Sequence, residues 1–199
     1  MEHNMRIALT GGIACGKSLL ANCLNELGVE TLDADDIVHE LIPEPERRRI
    51  ADEVFRDPSK RKELEARIHP LVRARLAAFA AQPTPPNPQL PTTNYQLPTT
   101  NYQLPTLKVE IIPLLFECHW EADYDIILCV SSPRSLQVER MTSRRGYTEE
   151  QAESRLAAQL PVEEKAARSD YVIVNDGSAE NLKEEAKKLV AWLKGRCNG

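Results

Sequence analysis

Residues 11–18 read Gly11, Gly12, Ile13, Ala14, Cys15, Gly16, Lys17 and Ser18, and this stretch decides the fold. It fits the pattern G-x-x-x-x-G-K-[ST] of a phosphate-binding loop, the P-loop. The apolar run from Arg6 to Thr10 predicts a buried strand before it, and the periodicity from Lys17 to Leu27 predicts a helix after it. The motif needs this strand–loop–helix context, which argues against a chance match in a glycine-rich turn.

The residue types in this loop suit the binding of a nucleoside triphosphate. Glycines let the backbone approach an anion closely, and the N–H groups and the positive end of the next helix then point at it. We expect Lys17 to reach the β- and γ-phosphates and the Ser18 hydroxyl to be a ligand of Mg²⁺, with every residue from Gly11 to Ser18 in contact with ATP. Cys15 could be a reactive thiol, but phosphoryl transfer needs no thiol, and a small side chain that fits the loop is the simpler interpretation.

A group of carboxylates follows the second predicted strand, Val29 to Leu32. Asp33, Asp35 and Asp36 come where open α/β sheets bind ligands, at the carboxyl ends of the strands. Asp33 could accept a proton from an attacking hydroxyl or orient the Mg²⁺ shell. It could equally be the N-cap of the helix predicted from Ala34 to Ile42. The P-loop favours the catalytic interpretation, because this strand end must lie near the γ-phosphate.

Strands and helices alternate along the rest of the chain. Further strands are predicted at 108–112, 126–130 and 171–174, and further helices at 133–144, 148–160 and 178–194, with a capping box at Thr148 and Gln151. Charged, periodic stretches at 45–55, 58–68 and 71–81 predict a helical middle. This alternation indicates an α/β fold with a parallel sheet flanked by helices.

The segment from Gln82 to Leu107 breaks the alternation. It carries no charge, holds 7 of the 14 prolines, and repeats Gln-Leu-Pro-Thr-Thr-Asn-Tyr at 89–95 and 96–102, with a partial third copy at 103–106. A coiled coil is excluded despite the period of seven, since proline in every repeat forbids a continuous helix. We interpret the segment as a disordered surface loop with an expanded repeat, and a proline-rich docking motif is the less favoured alternative.

Bulk properties narrow the class of protein. The formal net charge of -5 over 199 residues makes an electrostatic nucleic-acid binder a poor candidate. The five cysteines form no CxxC pair or metal-ligand spacing, which favours free thiols in a reducing compartment. The apolar run near the start is too short for a signal peptide, and no stretch approaches a membrane span, so the sequence predicts a cytoplasmic protein with no membrane partner.

An ordered set of stretches resembles dephospho-CoA kinase over nearly the whole chain. These stretches are Met5 to Ser18, Leu32 to Asp35, Leu64 to Leu71, Ile112 to Glu117, Gln137 to Arg140, Arg155 to Gln159, and Asp170 to Ser178. The resemblance implies a P-loop kinase core with a helical insertion on the CoA side and a short lid. A single domain, 1–199, would then have a core of about 1–41 and 108–199, a substrate-side module of about 42–81, a loop at 82–107 and a lid of about 140–165.

The same resemblance implies transfer of the ATP γ-phosphate to the 3′-hydroxyl of dephospho-CoA, the last step of CoA synthesis, by a monomer or small homo-oligomer that uses Mg²⁺. It makes Asp33 the general base and Lys17 its catalytic partner. It assigns Arg140 to the lid over ATP and Asn175 and Gly177 to the adenine side, and it assigns to the acceptor side Asp33, Asp35, His69, Pro113, Leu114, Leu115 and Glu117. Simpler interpretations remain: a turn residue for His69, a solvated helix face for Arg140, and a structural carboxylate for Glu117.

Three departures from the family pattern bear on function. The repeat segment precedes the strand at Lys108, away from the ligand-binding edge, so we expect it to be neutral for catalysis. Only Pro43, Glu44 and Pro45 stand where the family has a further helix, in the domain that closes over the acceptor. Arg145 replaces an acidic residue, which makes Arg144 less certain as an ATP contact.

Two alternatives to the kinase of dephospho-CoA stay open on sequence alone. A kinase of another acceptor, such as a nucleoside or nucleotide, would share the P-loop, but Asp33, Asp35 and His69 argue against it. A nucleotide-binding protein without catalysis would fit the shortened segment, but the retention of Gly16, Lys17 and Ser18 together with Asp33 argues against that.

Overall fold

Five parallel strands form one sheet in the order β2-β3-β1-β4-β5. The computed structural model describes residues 5–47, 49–50, 58–82 and 107–197. The strands are β1 Ile7–Gly11, β2 Glu30–Asp33, β3 Lys108–Ile111, β4 Ile126–Ser131 and β5 Tyr171–Val174. Since all five run in the same direction, their carboxyl ends meet at a single edge of the sheet. The predicted strands and the α/β class are confirmed.

Helices cover both faces of this sheet. They are α1 Lys17–Glu26, α2 Ala34–Leu41, α3 Pro58–Ala81, α4 Arg134–Arg145, α5 Glu149–Ala157, α6 Val162–Ala167 and α7 Ala179–Cys197. Alternate residues of β1 serve the two faces: Ile7 and Leu9 belong to a core that includes α1 and α7, whereas Ala8 belongs to a second core with α2 and α3. The alternation follows from the two-residue period of a strand, and it explains why β1 is buried along its whole length.

The helical middle differs from the prediction at Pro70. Separate helices were expected at 58–68 and 71–81, but α3 runs unbroken from Pro58 to Ala81 with Pro70 inside it. Proline lacks the N–H that an interior helical position donates, so the sequence favoured a break there. Packing compensates for the missing hydrogen bond, because Val72 and Leu76, which follow Pro70 in α3, are buried in the second core. Of the helix predicted at 45–55, residues 46–47 and 49–50 are helical and 51–55 lie outside the described residues.

Two further predictions about the helices were wrong: one helix ends earlier than expected, and one was missed. The helix predicted at 148–160 ends at Ala157, and α6 follows it where no helix was predicted. The capping box is confirmed: Gln151 N donates to Thr148 Oγ1 at 3.2 Å, and Thr148 N donates to Gln151 Oε1 at 3.0 Å. Ser178 caps α7 as expected, through a bond from Asn181 N at 3.2 Å.

The two flanks of the repeat segment meet at the amino end of β3. Residues 83–106, which hold the repeats, lie outside the described residues. Lys108 Nζ donates to Phe79 O at 2.7 Å and to Gln82 O at 2.5 Å, so the end of α3 is tied to the start of β3. The four residues of β3 place this point about 13 Å from the opposite edge of the sheet.

Removal of one heptad, residues 89–95, should therefore leave catalysis unchanged. The bond between Lys108 and Gln82 lies outside the deleted stretch, and Lys108 begins β3 at the edge of the sheet away from the P-loop. We expect kcat/KM for both substrates to stay within about twofold, and loop shortening to change stability by less than about 1 kcal/mol. Steady-state kinetics and thermal unfolding of the shortened chain check this, and a tenfold loss of turnover would contradict it.

Two global features complete the description. None of the helices in the part of the chain that the structure describes is long and apolar enough to cross a membrane. The cysteines whose side chains are described, Cys15, Cys23, Cys118 and Cys129, form no disulfide bond with one another.

Candidate active site

A cleft of about 440 Å³ opens at the carboxyl edge of the sheet. Its lining combines the P-loop, the start of α2, the turn after β3 and the ends of α4 and β5. The residues are Ile13, Ala14, Gly16, Lys17, Ser18, Leu19, Asp33, Asp35, Pro113, Arg140, Arg144, Arg145, Gln159, Asn175, Gly177 and Ala179. The cleft thus brings together most of the predicted nucleotide residues and three of the predicted acceptor residues.

The loop from Gly11 to Ser18 requires glycine at defined points. Gly11 has φ 147° and Gly16 has φ 100°, in the region that side-chain-bearing residues avoid. A Cβ on Gly11 would lie 2.2 Å from Val130 O, and one on Gly16 would lie 2.3 Å from Asn175 Nδ2. The loop is therefore packed directly against β4 and the residue that follows β5.

Gly11→Ala should destabilise the protein and distort the loop. The added methyl group meets a backbone carbonyl that cannot move aside, and the φ angle is unfavourable for alanine. We expect a loss of about 1–3 kcal/mol in the free energy of unfolding, which corresponds to a fall in Tm of roughly 2–12 °C. Thermal unfolding measures this. Gly195→Ala is the matched control, since a Cβ there meets nothing within 4 Å, and an equal Tm shift in both variants would refute the argument.

Lys17 lies at the base of the cleft and folds over its own loop. Its Nζ donates to Gly11 O at 3.0 Å and to Gly12 O at 2.9 Å. Burial lowers the pKa of the ammonium, and the nearby Lys165 lowers it further, whereas the carboxylates of Asp35 and Asp33 act in the opposite direction. An ammonium in such surroundings is poorly solvated, so an anionic partner in the cleft would stabilise it strongly.

Asp33 has both features that the sequence offered as alternatives. It is the N-cap of α2, and Oδ1 accepts the backbone N–H of Asp35 at 2.9 Å. It also lines the cleft, where burial raises the pKa of its carboxyl group despite the opposing effects of that N–H and of Lys17. The cap uses one carboxylate oxygen, so a cap and a proton acceptor can coexist in the same side chain.

Arg140 and Asn175 brace the back of the P-loop. The Arg140 guanidinium donates to Ala14 O at 3.3 Å, to Ser132 Oγ at 2.9 Å and to Asn175 O at 3.0 Å. Asn175 Nδ2 donates to Cys15 O at 2.8 Å. Both residues also line the cleft, so they are positioned to shape the loop from behind and to border a nucleotide from the side.

Two further residues that support the P-loop were not predicted from the sequence as site residues. Gln137 Nε2 donates to Ile13 O at 3.0 Å and lies 2.8 Å from Cys15 Sγ, and Ser132 Oγ donates to Asn175 O at 2.7 Å. Gln137 and Ser132 are both buried. The available sequence signal for Gln137 was a polar residue early in the helix after β4. Its partner Ile13 lies more than a hundred residues away in the chain, so the contact could not be predicted.

The Cys15 thiol is inert in this position. It is fully buried, and burial raises its pKa although Lys17, Gln137 and Ser132 oppose the shift. A raised pKa leaves little nucleophilic thiolate near neutral pH. This agrees with the interpretation of Cys15 as a small side chain that fits the loop.

Comparison with known proteins decides the family. A family model for dephospho-CoA kinase, CoaE, matches residues 5–47 and 88–181. The chain belongs to the dephospho-CoA kinase family. A curated dephospho-CoA kinase of Anaeromyxobacter dehalogenans is 36% identical over 216 residues, which cover 95% of this chain and 92% of the relative.

Solved structures share the fold of this chain. A crystal structure from Thermus thermophilus has a TM-score of 0.72 at 32% identity and covers 96% of this chain and 99% of its own. Dephospho-CoA kinase from Campylobacter jejuni has a TM-score of 0.65 at 23% identity and covers 96% and 97%; at that identity the likeness supports the fold alone. The sequence-based assignment to a P-loop kinase is confirmed.

The acceptor residues expected of a dephospho-CoA kinase divide into two groups. Asp33, Asp35 and Pro113 line the cleft. His69 instead lies on α3 with its ring edge-on to Trp120 at 5.1 Å, and Leu115 is buried in the second core. Leu114 is partly exposed, and Glu117 pairs with Lys165, and both lie outside the cleft lining. Contact of these four residues with the acceptor stays a prediction.

Two arginines at the end of α4 add positive charge to the cleft. Arg144 and Arg145 both line the cleft in the last turn of α4, next to Arg140. Arg145, the departure from the family pattern, therefore adds positive charge at the cleft and leaves Arg144 in it. A cluster of arginines there suits the charge of a triphosphate.

Proposed function

We propose that this chain phosphorylates the 3′-hydroxyl of dephospho-CoA with ATP and releases CoA and ADP. The observation that carries the proposal is the shared cleft, in which Lys17 and the P-loop face Asp33 and Asp35. A kinase needs a phosphate cradle and a proton acceptor within reach of the same hydroxyl. Membership of the dephospho-CoA kinase family indicates that the acceptor is dephospho-CoA.

The P-loop would hold the triphosphate. Backbone N–H groups at the start of α1 and the positive end of that helix favour anions. Lys17 would exchange its bonds to Gly11 O and Gly12 O for the β- and γ-phosphates, which restores strong partners to a buried ammonium. Its charge then offsets the charge that develops on the transferring phosphoryl group.

The oxygen donors of the cleft fit Mg²⁺. Ser18 presents an exposed hydroxyl, and Asp33 and Asp35 present carboxylates in the same cleft. The described residues contain no group of three or more acidic, histidine or cysteine side chains that could hold a metal by themselves. That suits Mg²⁺, which binds through one or two protein oxygens together with waters and substrate phosphates. When bound, the ion would neutralise phosphate charge.

Asp33 would accept the proton of the acceptor hydroxyl. Its raised pKa makes it a stronger base than an exposed carboxylate, which suits proton transfer at the moment of attack. Arg140 and Asn175 would keep the P-loop in shape, while Asn175 and Gly177 would border the adenine. The lid at about 140–165, Mg²⁺ use, a monomer or small homo-oligomer without nucleic acid, and a cytoplasmic location belong to the same proposal.

The test is ADP release from the purified chain with MgATP, measured with and without dephospho-CoA. Release that depends on dephospho-CoA, and is absent with adenosine or AMP as acceptor, is the expected result. ATP binding without acceptor-dependent release would refute the proposal, and it would point to the shortened segment at Pro43–Pro45 as the lesion. Turnover of adenosine or AMP instead would assign a different acceptor.

A further inference from the structure

An ion pair between a buried lysine and a partly buried glutamate lies behind the acceptor-side wall of the cleft. Lys165, on α6, is completely buried, and its Nζ lies 2.7 Å from Glu117 Oε1. The same Nζ donates to Pro113 O at 2.8 Å. A buried ammonium is costly without good partners, and these two contacts offset part of the cost of its desolvation.

Glu117 joins two distant parts of the chain. Its Oε1 also accepts the backbone N–H of Leu160 at 3.0 Å, in the segment between α5 and α6. The turn after β3 is thereby held to the end of the lid segment. The buried Oε2 atom has no hydrogen-bond partner among the described residues, so Lys165 is the group that compensates the charge of Glu117.

Pro113 is the point where this pair reaches the cleft. Its carbonyl accepts from Lys165 Nζ on one side and from Thr10 Oγ1 at 3.3 Å on the other. Thr10 immediately precedes the P-loop in β1, and Pro113 itself lines the cleft. The part of the cleft wall at Pro113 is therefore held from behind by Lys165, which does not itself belong to the cleft lining.

We propose that Lys165 is a positioning residue, which holds the Pro113–Glu117 turn against the P-loop and the lid end and so sets the site for the acceptor. The inference rests on the proposed function for the identity of that acceptor. Burial lowers the pKa of Lys17, and the ammonium of Lys165 lowers it further. Because Lys165 and Glu117 carry opposite charges, their joint replacement by neutral side chains leaves the net charge of the chain unchanged.

A simpler role in stability makes a different prediction. A buried ion pair is weak support for stability, because its desolvation offsets its attraction, and an apolar or neutral replacement of both partners is often tolerated. A pair retained only for folding would affect ATP and acceptor alike. A pair that positions Pro113 would affect the acceptor alone.

The test is the double variant Lys165→Met with Glu117→Gln. It avoids the unpaired buried charge that either single change would leave, and it removes the donor to Pro113 O. We expect a folded protein whose KM for dephospho-CoA rises about 10- to 100-fold, the usual effect of a displacement near 1 Å, while the KM for ATP changes by less than about threefold. The pair Lys188→Met with Glu185→Gln is the matched control: its two atoms are also 2.7 Å apart, but both side chains are exposed, so every parameter should stay within about twofold.

Hydrogen exchange gives a second measurement that does not depend on activity. The amides of Leu115 and Cys118, which bond to Ile112 O and Leu114 O, should exchange faster in the double variant than in the parent chain, whereas those of α7 should not. An unchanged acceptor KM, a parallel loss of ATP binding, or unchanged exchange at Leu115 and Cys118 would each overturn the inference. If the parent chain shows no acceptor-dependent ADP release, the proposed function fails and the exchange rates alone decide the role of Lys165.

Discussion

Asp33→Asn is expected to lower turnover by roughly 10²–10⁴-fold, the usual contribution of a positioned base. Asparagine has nearly the same shape and is as good an N-cap as aspartate, so α2 should keep its start and its bond from Asp35 N. ATP binding should stay nearly intact, because the P-loop is untouched. The change therefore separates the two roles that Asp33 combines in the structure.

Single-turnover kinetics and equilibrium binding of an ATP analogue measure the two halves of this expectation. Asp36→Asn is the control, since Asp36 is an exposed carboxylate in the same first turn and is absent from the cleft lining. If turnover by the Asp33 variant falls less than about tenfold, Asp33 is a cap or an organiser of the metal, and not the base.

The pH dependence gives an independent view of the same residue. The base acts only when ionised, so activity is present above the pKa of Asp33 and is lost as the pH falls through it. Because burial raises that pKa, the acid limb should lie at higher pH than for an exposed carboxylate. In the Asp33→Asn variant that limb should disappear from the residual rate.

Lys17→Met is expected to lower turnover by about 10²–10³-fold, the typical effect of losing one preorganised charge or donor at the transition state. Methionine keeps most of the apolar stem but removes the ammonium that faces the cleft. The protein should fold normally, because a buried, poorly solvated ammonium is replaced by an apolar group. Affinity for ATP should fall less than turnover does.

A comparison of kcat with the dissociation constant of ATP checks the second expectation. Lys188→Met is the surface control, since the Lys188 side chain is two-thirds exposed on α7. A variant that loses ATP binding and turnover by the same factor would show that Lys17 acts by holding the ground state, and the proposed charge stabilisation during transfer would be wrong.

Local sequence was enough to predict most of the sheet. β1 and β4 are short apolar runs, and the order of strands and helices then limits the topology to a few choices. The failures have physical causes. Pro70 was expected to end a helix that packing carries through, and α6 is too short for its period to be recognised.

The site was predictable wherever its chemistry follows a linear motif. Lys17, Ser18 and Asp33 could be named because a phosphate loop and a strand end have fixed positions in the chain. Gln137, Ser132 and Lys165 could not, since each acts through a partner from 43 to 124 residues away. Such pairs depend on tertiary packing and leave no periodic signal in the sequence.

The tie from Lys108 to the end of α3 has a practical consequence for engineering. Hydrogen bonds from the Lys108 side chain join the start of β3 to the end of α3. The residues between these two points are therefore not needed to hold them together. Positions of this kind tolerate guests, such as affinity tags, fluorescent reporters or whole foreign modules. We expect a sequence inserted between residues 82 and 107 to leave the kinase activity unchanged, because both flanks of the insertion lie at the edge of the sheet away from the P-loop.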